Sequence, residues 1–480
     1  MMASRTDPPH LVDRDGDGAA GGRPPFSIAQ LGLLTVVAVA LISGSVIDLP
    51  RELWPATRRG ISALGMLTLA LASMGTLALL GGRVLPTRAM RVLAPFAGMM
   101  LWAVASLGWA PTGRAGLQIL AVLGCFLILA FVAAAAMVRD RHRTVSVLIW
   151  SMRAADVIGL GIVAANFLEY GWPAHTVAER WVGGPRSIAL FGLVPLSWHL
   201  ARWVRGNDGS AVLAVSWLMA LVVTLSRTAT AAAVLLVLLS GLLRMGQGDV
   251  SARRRFNNLM VLLVPVVLVA VFAVGPFRDR FMKAEVSITQ PGEFQLNDGG
   301  RMKMWDSVAR SAARSPFLGK GLGSSEEVVN EIHYWVGHPH NEFLRIWHDL
   351  GLPGILMFLL TLGTIGRFCW RHVSRPIIKG VAPPLLPLAA SGVLISLIAG
   401  MMTDNPLVYI FVMAPSGIVI GAALGAEARQ RKRRTRRDEI ADPVGVTKAD
   451  AAFTLNDDDV VDAVYGDQNR ARRRRRRHPP

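Results

Sequence analysis

The run LQILAVLGCFLILAFVAAAAMV, Leu117 to Val138, carries no charged residue, and charge resumes at once beyond it with Arg139, Asp140 and Arg141. About 20 such residues wound as a helix span roughly 30 Å, the thickness of a bilayer's hydrocarbon core. Similar runs recur along the chain. They give spans at 28–47, 61–80, 92–108, 117–138, 144–168, 187–204, 210–226, 228–244, 259–276, 352–370, 384–403 and 407–425. Short segments alternating between apolar and polar residues, the barrel pattern, are absent, so a helical bundle is the spanning architecture left. The expected fold is therefore all-α, a polytopic transmembrane bundle of about twelve spans. Domain boundaries follow: a disordered N-terminal segment 1–27, a transmembrane unit 28–425 and a disordered charged tail 426–480.

Composition agrees. The 480 residues are 52% hydrophobic and 18% charged, with a formal net charge of +18. In a soluble chain that charge would suggest nucleic acid, but no recognition module accompanies it. Most of it sits in loops and the tail, as Arg83/Arg88/Arg91, Arg139/Arg141/Arg143, Arg202/Arg205, Arg253–Arg255 and Arg371/Arg375/Lys379. The positive-inside rule reads those loops and both termini as cytoplasmic, despite the dissent of Arg51, Arg58 and Arg59. The setting is then an inner membrane. The tail runs from a basic block through Asp457–Asp459 to Arg472–Arg477 and reads as a solvated segment near anionic lipid. Cys125 and Cys369 lie in apolar runs and form neither a disulfide framework nor a CxxC site. The first apolar run lacks a cleavage pattern and is expected to be retained as a helix.

One long polar stretch interrupts this pattern, an outer loop at 277–350, and a connection of that length is either functional or unstructured. From Arg301 to Arg314 the apolar positions Met302, Trp305, Val308, Ala309 and Ala312 recur at helical spacing, with Pro316 as the stop. Arg310 and Arg314 read as a solvated face. Gly319-Lys320-Gly321-Leu322-Gly323 lacks the GK[ST] ending of a phosphate loop and reads as a turn. Asn341 is a good N-cap for a helix over Glu342–Leu350 that Gly351 and Pro353 end. His340 precedes that cap. His333, His338, His340 and His348 raise zinc, but their spacing fits no familiar ligand pattern.

Ionisable groups at membrane depth are costly and mark function or pairing. Arg227 sits between two apolar runs in Leu225-Ser226-Arg227-Thr228-Ala229, and Arg186 opens the sixth span after Gly183-Gly184-Pro185. Arg153 and Asp156 are spaced for a helical ion pair with a structural role. Asp404, in Thr403-Asp404-Asn405-Pro406, reads as a cap for the next helix.

These pieces together resemble the O-antigen ligase and Wzy-type polysaccharide polymerase superfamily of GT-C type membrane glycosyltransferases. The resemblance rests on Arg301 through Trp305, Pro316, Gly319, Gly321, His340-Asn341-Glu342-Phe343-Leu344, Gly351 and Gly354, with Ser226-Arg227-Thr228-Ala229. It implies a metal-independent, inverting transfer without cofactor, and makes the inner membrane a bacterial one. The donor it implies is an undecaprenyl-diphosphate-linked oligosaccharide presented at the outer leaflet. His340 would be the catalytic base, Arg227, Arg301 and Arg186 the diphosphate ligands, and Asn341 and Glu342 supporting residues. A neutral imidazole suits the base role, and guanidinium forks suit phosphate oxygens. Expected partners are the glycan acceptor, membrane lipids, a flippase and a chain-length regulator, with no nucleic acid. Polymerisation of an exported polysaccharide is the leading activity, and ligation to lipid A core or a protein the alternative. A polysaccharide flippase or transporter is the rival from another class, but inverted repeats with midplane charges are not evident.

Overall fold

The computed structural model describes residues 86–111, 113–171, 184–246, 301–332, 337–378 and 381–441. The expected spans 28–47, 61–80 and 259–276, and His333, lie outside them. The described residues are helical: α1 Thr87–Ser106, α2 Gly113–Arg139, α3 Arg141–Tyr170, α4 Gly184–Val204, α5 Gly209–Val223 and α6 Arg227–Met245. They continue as α7 Arg301–Ala313, α8 Ser325–Ile332, α9 Glu342–Ile378, α10 Leu385–Thr403, a 3-10 turn Pro406–Val408, and α11 Ile410–Ala441. Seven of these helices are long and apolar enough to cross a membrane, and Ile188–Val204 and Gly209–Val223 are shorter apolar helices. The fold is all-α and polytopic.

Small residues decide how closely the helices approach, since a lipid solvent offers little hydrophobic drive between helices. The most extensive contact joins α2 and α11. Gly417, Gly421 and Gly425, four apart, present bare backbone to Phe126, Ala130 and Ala134, also four apart. A Cβ on any of the three glycines would strike the carbonyl oxygen opposite. On the other side of the bundle, Trp217 of α5 is fully buried and its ring fills the space left by Gly159 of α3 and Gly192 of α4.

Several polar groups within the bundle meet across helices. Asp156 accepts from Trp217 Nε1 at 2.8 Å and meets His199 Nε2 at 2.9 Å. The expected Arg153–Asp156 pairing is thus not what the helix face provides. Asp156 turns inward across α3, α4 and α5, while exposed Arg153 lies over Trp150, 4.8 Å from the ring centroid. Arg244, at the end of α6, bonds the Trp203 carbonyl and pairs with Asp208 at 2.8 Å, tying α6 to the α4–α5 turn.

Helix α11 does not stop at residue 425 but continues to Ala441. Its continuation, Glu427-Ala428-Arg429-Gln430-Arg431-Lys432, consists of good helix formers, and extending a helix already nucleated in the bundle costs little. Residues 442–480 lie outside the described part.

The polar stretch 301–350 folds onto one end of the bundle. Helix α7 begins at Arg301, as the spacing predicts. Its buried residues are Met304, Val308, Ser311 and Ala312, so the inward face is rotated from the expected one and Met302 is exposed. Met304 and Val308 pack with Val329 of α8 in a small core of their own. The glycine segment is the turn expected of it. Gly319, Gly321 and Gly323 have φ of 73, 94 and 90°, a region where other residues are strained.

Asp349 holds that turn. Its carboxylate accepts the Gly323 and Ser325 amides, each at 2.9 Å, and so caps α8. Beside it, buried His348 bridges Asp349 Oδ1 at 2.9 Å and Ser311 at 3.0 Å. At Gly351 (φ 64°, ψ −162°) the backbone leaves helical geometry, so the short helix that starts at Glu342 ends there as expected and α9 consists of two helical segments joined at this kink. A Cβ there would strike the Phe317 carbonyl. Trp102 Nε1 donates to the Leu350 carbonyl at 2.8 Å, and Leu322 N–H to Ser106 Oγ at 3.1 Å, fixing the outer stretch to the end of α1.

Candidate active site

His340 stands in front of α9 with φ 54°, a left-handed conformation. Among the described residues one other non-glycine residue has positive φ, Leu225 at 55°, two positions before Arg227. Such conformations cost on the order of 1–3 kcal/mol and persist where surrounding structure imposes them. Both therefore aim the residue groups singled out from the sequence.

Hydrogen bonds fix the chain that follows His340. Asn341 caps α9, its Oδ1 accepting the Leu344 amide at 3.0 Å. Glu342, fully buried, accepts the Leu407 amide at 3.2 Å and pairs with Arg345 at 2.6 Å, tying the start of α9 to the 3-10 turn. The two supporting residues expected from the sequence thus hold His340's helix.

His340 Nδ1 lies 2.8 Å from Asn405 Nδ2 and 3.4 Å from Asp404 Oδ1. Asn405 Oδ1 is then buried without a hydrogen-bond partner among the described residues. Turning the amide by half a rotation, which leaves its outline unchanged, places Oδ1 against Nδ1. Asn405 and the Asp404 carboxylate then both favour a proton on Nδ1. This tautomer leaves the Nε2 lone pair as the ring's basic atom.

Asp404 and Asn405, 1% and 2% exposed, are the residues the sequence reading missed. Asp404 does accept the Asn405 amide at 2.9 Å, but it is the C-cap of α10 and turns toward the imidazole instead of starting a helix. The available signal was an acidic residue at the end of a span, which is costly to bury without a task.

Two further contacts bring the arginines' helices to the same place. Thr228 and Thr403 share a 2.6 Å hydroxyl hydrogen bond, joining the first turn of α6, which Arg227 begins, to the end of α10. Trp305 Nε1 donates to the Pro339 carbonyl at 2.7 Å, fixing the turn of α7 that follows Arg301 beside His340. Arg227 and Arg301 are each the first residue of their helix, where the backbone dipole adds positive potential to the guanidinium charge. Both are partly exposed. Arg186 is the third residue of α4. Arg310 and Arg314 are exposed, and Arg310 pairs with Asp306 at 2.5 Å, in keeping with a solvated face.

An apolar groove of about 690 Å³ opens beside this mouth, lined by Met302 and Trp305 of α7 and by Phe343, Leu352, Ile355 and Leu359 of α9. The ends of α6, α7, α9 and α10 therefore surround one imidazole oriented by a buried carboxylate and amide, with two arginines at helix starts nearby. Such a set can take a proton and stabilise an anion.

Residues 211–359 match the family model described as O-Antigen ligase. The matched stretch contains Arg227, Arg301 and His340, while Arg186, Asp404 and Asn405 fall outside it. No curated protein matches the chain.

Proposed function

We propose that this chain, with its O-antigen ligase domain, is an integral-membrane glycosyltransferase working at the mouth formed by α6, α7, α9 and α10. One observation carries the reading: contacts run from Thr228 to Thr403, through Asp404 and Asn405 to His340, and from Pro339 to Trp305. The helix starts bearing Arg227 and Arg301 are thereby gathered around the imidazole.

The donor is a glycan on undecaprenyl diphosphate at the outer leaflet. An acceptor sugar hydroxyl attacks the anomeric carbon as the bond from that carbon to the diphosphate oxygen breaks. Its proton passes to His340 Nε2, and the bonding electron pair leaves with the lipid diphosphate. Arg227 and Arg301, with Arg186, stabilise the growing negative charge through bidentate contacts. Attack opposite the leaving group inverts the anomeric centre. Fixed guanidinium charge fills the electrostatic role, so the scheme requires no metal or other cofactor. The mouth faces outward and both termini are cytoplasmic.

The direct test uses membrane vesicles supplied with lipid-linked donor. His340→Ala should lower transfer by about 10²–10⁴-fold, the usual weight of general acid–base catalysis, while donor binding persists. Undiminished transfer at equal protein level would remove His340 from the reaction. Activity lost to EDTA and restored by zinc would overturn the metal-free scheme.

For the acceptor, polymerisation of an exported polysaccharide is the first reading. Ligation to lipid A core or a protein is the second. A deletion strain separates them. Single lipid-linked repeats would accumulate for a polymerase and long lipid-linked chains for a ligase. Intermediates confined to the cytoplasmic leaflet would indicate a flippase instead.

A further inference from the structure

At the opposite end of the bundle from His340, α1 and α9 line a second cavity, this one rich in arginine. It has a volume of about 590 Å³, within the range of ligand sites. Its lining among the described residues includes Arg88, Arg91, Arg367 and Arg371 and no carboxylate. Arg88 and Arg91 are three apart on α1, and Arg367 and Arg371 are four apart on α9, so each pair shares one helix face. The two faces meet because α1 packs along α9, where Thr364 Oγ1 donates to the Val92 carbonyl at 2.8 Å. From the kink at Gly351, Arg367 and Arg371 lie roughly 24–30 Å along α9 at 1.5 Å per residue, about a bilayer core away.

A bias of basic residues toward one side of a membrane explains arginines in loops. It does not require two pairs to face each other across a cavity. Like charges at helical spacing repel, and the repulsion is relieved by an anion between them. Glu427 meets only part of that need. It pairs with Arg88 at 2.5 Å and lies 3.7 Å from His372, while Arg91, Arg367 and Arg371 are exposed. The cavity also adjoins the N-terminus of α1, whose dipole adds to the positive potential. Guanidinium forks match tetrahedral phosphate oxygens bidentately. Trp370, 73% exposed next to these arginines, is the residue type that settles at headgroup level.

We propose that this cavity binds a phosphate-bearing anion, either the headgroup of an anionic lipid or a free diphosphate. The site is independent of the glycosyl-transfer reading, and its test needs no activity assay.

The test is thermal unfolding of the purified full-length chain in detergent, titrated separately with cardiolipin, phosphatidylcholine and inorganic diphosphate. Arg367→Gln/Arg371→Gln is compared with Arg310→Gln/Arg314→Gln, which removes equal charge from exposed positions at the other end. Cardiolipin should raise the Tm of the wild type and of the Arg310/Arg314 variant. The Arg367/Arg371 variant should need at least about ten times more lipid for the same shift, the loss expected when two charge-assisted contacts go. Arg91→Gln, from the facing helix, should weaken the response in the same direction and serves if the double variant is poorly folded. A shift reproduced by inorganic diphosphate, and lost in the same variants, would assign the site to a soluble phosphate. Equal responses in both double variants, or an equal shift with phosphatidylcholine, would overturn the proposal.

Discussion

Asp404 Oδ1 lies 3.4 Å from His340 Nδ1, with the acid at the end of α10 and the histidine before α9, so a buried carboxylate orients a ring 64 residues away in sequence. A carboxylate there holds a proton on Nδ1 and stabilises the imidazolium that forms when Nε2 takes a second one. Asp404→Asn keeps shape but loses the charge. It should lower the rate of glycosyl transfer by about 10²-fold or more, with a smaller change in donor KM, because general-base catalysis contributes about 10²–10⁴-fold. Initial rates against donor concentration in vesicles would show it. A variant losing KM but keeping kcat would mark Asp404 as a binding residue.

The Thr228–Thr403 hydrogen bond, 2.6 Å long, holds the Arg227 end of α6 against the end of α10 that carries Asp404. Thr228→Val and Thr403→Val should each cost about 0.5–1.5 kcal/mol, the net worth of one hydrogen bond. If the pair acts as a unit, the double variant should lose little more than either single one. Thermal unfolding and transfer rates for all four proteins give the cycle. Strictly additive losses would show that the hydroxyls act separately.

Much of this arrangement is legible in the amino-acid sequence, because it is local. Spans at 92–108, 117–138 and 144–168 correspond to α1, α2 and α3, since the length of an apolar run is itself the signal. The Arg301 start of α7 and the Asn341 cap follow from residue types within a few positions. What the sequence hides depends on partners far along the chain. Asp156 meets His199 and Trp217 on other helices instead of Arg153 one turn away. Asp404 reads as a cap because the histidine it faces lies beyond any local window. Burial of Glu342, Arg345, His348 and Asp349 in a short helix that pattern alone would make amphipathic has the same cause. Glu342 and Arg345 pair within one turn and His348 meets adjacent Asp349. The Leu407 amide, the Ser311 hydroxyl and the Gly323 and Ser325 amides that complete their bonding come from elsewhere in the chain.

Asp349 binds two amides, Gly323 and Ser325, at a site 1% exposed. Replacing it with alanine strands both donors, and each buried unsatisfied group costs about 1–3 kcal/mol. Asp349→Ala should therefore loosen the 319–325 turn and lower thermal stability, with transfer falling in proportion to folded protein. Limited proteolysis should show cleavage near residues 319–325 before the spans are affected. An Asp349→Ala protein with wild-type stability and no transfer would instead give the Ser311–His348–Asp349 set a chemical role.

The α2–α11 seam tolerates no side chain at Gly421, because a Cβ there runs into the Ala130 carbonyl oxygen. Backbone cannot yield as a flexible side chain can, so Gly421→Ala should force the helices apart. Overpacking of this kind costs about 1–3 kcal/mol, and Gly421→Val should cost more. Gly363 on α9 has open space where its Cβ would stand and provides the control. Gly363→Ala should be neutral or stabilising by up to about 1 kcal/mol, through helix propensity. Unfolding temperatures of the two alanine variants in one detergent decide the matter. Equal values would mean that close approach at the seam contributes nothing to stability.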